Sequence, residues 1–205
     1  MSDIPPEDEI EPNDVDEPRP DDDVSAHEIF DAPWWRNIRP SLQALGAFFI
    51  YLAGAIVLWG IPVLAQFTTR YVGLGQGDAK LYRWSLAWTP WAIAHGKSPV
   101  FTDRVFAPAG ADLSWTTFLP GPAFILWPVT RHFGTVASYN VILLVAPALA
   151  GWAAFLVCRR VTGAFLPALV GGYLFAFSTF MTGQMHGHAN LVLIFPVPLL
   201  SATLT

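Results

Sequence analysis

The run from Leu42 to Phe67, LQALGAFFIYLAGAIVLWGIPVLAQF, holds 26 residues without one charged side chain. About 20 apolar residues cross the hydrocarbon core of a bilayer as a helix. In lipid the backbone must satisfy its own hydrogen bonds, which a single helix does and an open strand does not. Trp34, Trp35, Arg36 and Arg39 precede the run as an interfacial aromatic and basic anchor. Gly60 and Pro62 predict a kink near its far end, which neighbouring helices tolerate. The fold class that follows is all-α and polytopic, embedded in a membrane.

Val136 to Val157 forms a second uncharged span, closed by Arg159 and Arg160, and Phe165 to Met181 a third. Residues 191–205 are apolar to the end, with no closing polar flank, and read as an interrupted fourth span. The expectation is an N-terminal fragment of a longer chain. Phe118 to Val129, FLPGPAFILWPV, is apolar but short and carries three prolines. Runs of about 10–14 apolar residues are more often re-entrant or interfacial than spanning. Leaving 118–129 out of the count puts Arg36 and Arg39 on the same side as Arg159 and Arg160, and the positive-inside rule makes that side cytoplasmic. The expected topology has a cytoplasmic N-terminus and a long external first loop, residues 68–135, in the bacterial inner (plasma) membrane.

Charge divides the chain in two. Thirteen of the sixteen acids lie in residues 1–31, against one base, Arg19, so the formal net charge of −5 describes the tail and not the body. That acidic, Pro-rich segment cannot bury enough surface to offset its ordering entropy. Residues 1–33 are therefore expected to be a disordered tail, acting as a solubiliser or as a dock for a cytoplasmic partner. Residues 34–205 form the membrane domain, in contact with the lipid bilayer, and no nucleic-acid partner is expected. The single cysteine, Cys158, gives no disulfide framework.

Beyond residue 31 the only acids are Asp78, Asp103 and Asp112, all in the first loop. Asp78 follows the alternating glycines Gly73, Gly75 and Gly77, whose spacing matches no phosphate-cradling fingerprint and serves a sharp turn. It opens DAKLYRWSLAWTPWAIAHG, a Trp-rich segment suited to a helix in the membrane interface, bent or ended by Pro90 and closed by Gly96. Pro99, Pro108 and Gly110 then predict turns without regular structure.

Each acid has a structural and a chemical reading. Asp78 is a good helix N-cap, and it is also a candidate general base towards a hydroxyl. Asp103 adjoins Arg104 as a pairing partner and is the second candidate for that base. Asp112 reads as a turn residue. Lys80, Arg83 and Arg104 are candidates for binding an anionic phosphate. A carboxylate beside a phosphate could also hold Mg or Mn, which prefer oxygen ligands. In GQMHGHANL, His186 and His188 stand two apart, so with Asp78 they are candidate metal ligands, or else part of a polar interfacial turn. Gln184 and Asn190 offer hydrogen bonds to a sugar.

With these residues in place the chain resembles the type C integral-membrane glycosyltransferases, which take sugars from polyprenyl-phosphate carriers. The likeness rests on Asp78 soon after the first span, the interfacial segment 79–95, Leu119-Pro120-Gly121-Pro122, Phe133-Gly134, and the ending marked by Leu156, Arg159 and Gly163. The stretches GDAKLYRW and FAFSTFMTGQMHGHANL carry it further. Asp78 is followed by Ala79, where several such families have a second acid. The resemblance implies a transferase that moves a sugar from a polyprenyl-phosphate sugar to an external acceptor, with Asp78 essential. Two alternatives come from other classes: a transporter or flippase-like subunit, and a non-catalytic membrane partner protein.

Overall fold

The computed structural model describes residues 40–73 and 78–201. The acidic tail, the Trp34–Arg39 anchor, Gly75, Gly77 and residues 202–205 lie outside the described residues.

Helix α1, Pro40–Ala55, buries Gln43, Ala47, Tyr51 and Ala55, one residue per turn along a single stripe. Its other faces carry Leu42, Leu45, Phe49 and Ile50, all more than half exposed, the surface a bilayer would cover. The α-helical pattern then gives way to a π-helical turn, Ile56–Gly60, and a 3₁₀ turn, Ile61–Gln66. The change falls where Gly60 and Pro62 were expected to kink the helix. Pro62 has no N–H to give the carbonyl four residues back, so regular hydrogen bonding cannot continue.

Helix α2, Asp78–Ala94, begins at the candidate acid and continues through Pro90. Of the two expectations there, a bend or an end, the helix does not end. Pro90 is buried only one turn before the helix end, so the missing bond affects little further helix. Gly96 closes the segment at φ +63°, the left-handed conformation that favours glycine. The following loop holds one short antiparallel ladder, β1 (Phe101–Thr102) on β2 (Ala111–Asp112), where only turns were expected. Gly110 permits it, because a Cβ there would lie 2.5 Å from the Phe101 ring and 2.8 Å from the Thr102 carbonyl.

Helix α3, Pro120–Ile125, is a six-residue helix within the apolar run 118–129. It leads into α4, Trp127–Thr162, which breaks at Gly134 (φ 85°, ψ 171°) and ends on left-handed Gly163. Helix α5 spans Phe165–Ala176, and α6 spans Thr179–Gln184 behind the Ser178 cap. The final apolar run is divided into α7, Ala189–Val192, and α8, Pro196–Ser201. α7 ends at Val192, and α8 opens on Pro196, whose missing N–H costs nothing at a first helical position.

Three stretches are long and apolar enough to cross a membrane: Pro40–Gln66, Trp127–Thr162 and Phe165–Gln184. In α4, 61% of the most apolar window is buried, against 28% in each of the others, so α4 is the centre of the bundle. Close approach is built from small residues. A Cβ on Gly172 would lie 2.3 Å from the Tyr51 hydroxyl, and one on Gly151 would lie 2.8 Å from the Ala176 methyl. Membrane helices associate through such contacts because lipid leaves them no hydrophobic drive to pair. Tyr51 fixes the three-helix junction by donating to the Leu169 carbonyl at 2.8 Å.

Candidate functional site

The chain leaving the first span is tied to α4 by one buried side chain. The Asn140 amide nitrogen donates to the Phe67 carbonyl at 2.9 Å and to the Arg70 carbonyl at 2.8 Å, and its oxygen accepts from the Val72 N–H at 2.9 Å. Asn140 is fully buried, and a buried amide is tolerated because its bonds are made. Gly73 follows at φ +76°, so close to the Met185 carbonyl that a Cβ would lie 2.2 Å away. The exit from span one thus passes over the backbone of Met185 and His186. Asn140 was not singled out from sequence. An asparagine inside a span that bears no charge was the signal available.

This routing places Asp78 against the α6–α7 turn. The Asp78 carboxylate lies 3.3 Å from His188 Nδ1, with both side chains about half exposed (47% and 50%). One helical turn on, buried Tyr82 donates to the Asn190 side-chain oxygen. Burial pushes the Tyr82 phenol above its ordinary pKa, the Asp78 charge adds to this, and hydrogen bonding offsets only part. The phenol therefore stays a neutral donor beside the carboxylate. Tyr139 stacks on Tyr82 at 6.5 Å and meets Tyr71 edge-on at 5.7 Å, an aromatic floor under the acid.

The other predicted residues fall elsewhere. His186 is exposed, its Nδ1 3.2 Å from the Gly183 carbonyl, so of the two histidines only His188 reaches Asp78. Lys80 and Arg83 project from the face of α2 opposite Asp78, as two and five residues along a helix require. Arg83 donates to the Tyr71 hydroxyl and, at 3.3 Å, to Thr135 Oγ1. Asp103 pairs with Lys97 at 3.4 Å and with Arg104 at 3.8 Å. The Arg104 guanidinium also lies over the Trp91 ring at 5.0 Å. Asp112 caps its own turn, accepting from the Ser114 N–H at 2.9 Å, and that bond lowers its carboxyl pKa.

Asp78 and His188 supply one carboxylate and one imidazole, and among the described residues no group of three His, Cys, Asp or Glu converges. An Mg or Mn ion at this pair would take its remaining ligands from water and a substrate phosphate. What the arrangement can do is take a proton: a carboxylate with a histidine at hydrogen-bonding range, open to solvent on one side, above a neutral tyrosine.

No curated protein and no solved structure matches this chain. A family match covers residues 82–184, from Tyr82 through Arg83, Asp103, Arg104 and Asn140 to Gln184, and begins four residues after Asp78. Those 103 of 205 residues, three apolar helices and an otherwise helical body lead to one assignment. The chain belongs to the family of type C membrane glycosyltransferases described as oligosaccharyl transferase STT3, N-terminal.

Proposed function

We propose that this protein moves a sugar from a polyprenyl-phosphate carrier to an acceptor on the external side of the plasma membrane. Asp78 is the general base that takes the proton from the acceptor hydroxyl. His188 orients the Asp78 carboxylate and shares its proton, and Asp103 is the second candidate for the base. Lys80, Arg83 and Arg104 bind carrier phosphate. The N-terminus lies in the cytoplasm, and the first loop, with Asp78, lies outside.

The observation that carries this reading is the 3.3 Å contact between Asp78 and His188, which joins two segments 110 residues apart in sequence. A helix cap alone needs no such partner. Asp103 supports the reading less, since its carboxylate already faces Lys97 and Arg104. The test is transfer of radiolabelled sugar from a panel of polyprenyl-phosphate sugars by the purified, reconstituted protein. Labelled acceptor is the expected product. Movement of labelled lipid between leaflets without transfer would favour the transporter reading instead.

A further inference from the structure

Arg159 stands in the α4 ending, which the sugar-transfer reading leaves without a role. Its Nη1 is buried and, among the described residues, has no acceptor. A guanidinium N–H shut away from water needs one, and for a cation the strongest is an anion. The acids of the described residues, Asp78, Asp103 and Asp112, all lie in the first loop. Tyr139 belongs to the aromatic floor under Asp78, and Arg159 lies twenty residues further along α4, about 30 Å away. None of those three acids reaches that end of the bundle.

Beside this end the helices leave a crevice. Ala44, Leu45 and Phe48 of α1 and Leu149 and Trp152 of α4 line about 360 Å³, with Ser41 as the polar member. Trp152 and Arg159 are seven residues apart, two turns, so they share one face of α4. Depth agrees as well. A Cβ on Gly151 would lie 3.0 Å from the Tyr51 ring, and one on Gly60 would lie 3.4 Å from Leu144, so the two helices run antiparallel and are level at Tyr51. Eight residues back along α1 and eight on along α4 bring Gln43 and Arg159 to about the same depth. The Ser41 end of the crevice is therefore level with the guanidinium.

We propose that Arg159 and this crevice bind an anionic phospholipid of the leaflet at that end, with its phosphate on the guanidinium and one acyl chain between α1 and α4. Basic pockets between membrane helices take anionic head groups, and a guanidinium grips phosphate through paired hydrogen bonds. The acidic segment 1–31 matches the charge but holds few large apolar side chains to fill the crevice. Under the proposed sidedness this leaflet is the cytoplasmic one, across the bilayer from Asp78. The lipid is a structural ligand there and not the sugar carrier.

The test is native mass spectrometry of the full chain in detergent, titrated with phosphatidylglycerol or with phosphatidylcholine of the same acyl chains. Phosphatidylglycerol is expected to bind roughly tenfold more tightly. Arg159→Gln should remove most of that preference with the unfolding midpoint in phosphatidylcholine unchanged, which separates lost charge from damage to the fold. Arg160→Gln, at an exposed side chain turned off the Trp152 face, should keep most of it. Ala44→Phe should weaken both lipids by filling the crevice. Equal affinity for the two lipids overturns the proposal and leaves the acidic segment as the partner of Arg159. Equal losses in Arg159→Gln and Arg160→Gln overturn it in favour of a general attraction between the basic end and the leaflet. Indifference of both lipids to Ala44→Phe overturns the crevice as the seat of the acyl chain.

Discussion

Tyr82 sits one turn along α2 from Asp78, buried, with its hydroxyl on Asn190. Its raised pKa means that the folded protein holds the phenolic proton more tightly than the unfolded chain does. That contribution to stability is fully present below the unfolded tyrosine value of about 10 and is lost as pH rises through the folded value. Tyr82→Phe should remove this share of the alkaline fall, at a cost of about 1 kcal/mol near neutrality for the lost hydrogen bond. Denaturant unfolding in detergent across pH 7–11 measures both. At the same scale, His188→Gln should reduce transfer by about tenfold or more while leaving the unfolding midpoint unchanged. His186→Gln, at an exposed side chain that does not reach Asp78, should reduce neither.

Between α4 and the chain that leaves the first span, Asn140 makes three hydrogen bonds to backbone. Asn140→Leu leaves those groups without their partner, at about 1–3 kcal/mol for each that water cannot reach. The expected result is a lower unfolding midpoint and weaker transfer, because the segment that delivers Asp78 loses its anchor. Gly172→Ala tests the helix junction: the added methyl meets the Tyr51 hydroxyl, and overpacking of this kind costs about 1–3 kcal/mol. This is also the scale at which sequence and structure part. The long apolar helices were legible because lipid permits only one backbone solution for an uncharged run. Asp78 drew attention because, beyond residue 31, acids occur only at positions 78, 103 and 112. Asn140 was not, because its meaning depends on carbonyls some 70 residues earlier. The grouping of Asp78 with the two histidines was open to a reader of the sequence, but the i, i+2 spacing drew attention to both and only the fold singles out His188. Pro90 misled as a stop signal, because a proline near a helix end is tolerated when tertiary packing holds the last turn.

For the molecule as a whole, α4 is the axis, with α1 and α5 on its flanks and α2 laid across it beside the α6–α7 turn. The sidedness proposed from Arg36, Arg39, Arg159 and Arg160 would put that turn and the first loop on the external side. Trp115 is 91% exposed in this loop and Cys158 is the only cysteine, so the topology can be read directly. In a Cys158→Ser background, Trp115→Cys should react with a membrane-impermeant maleimide added to intact cells. Labelling only after lysis would reverse the orientation and place Asp78 inside.

The most direct measurement of the central claim is sugar transfer from a polyprenyl-phosphate donor by the wild type beside Asp78→Asn, in equal amounts and with equal unfolding midpoints. Asparagine keeps the size of the side chain and its contact with His188 but cannot take a proton. General-base catalysis contributes about 10²–10⁴-fold, so transfer should fall by that much in the variant. Equal rates in the two proteins would remove Asp78 from the chemistry and leave it as the cap of α2.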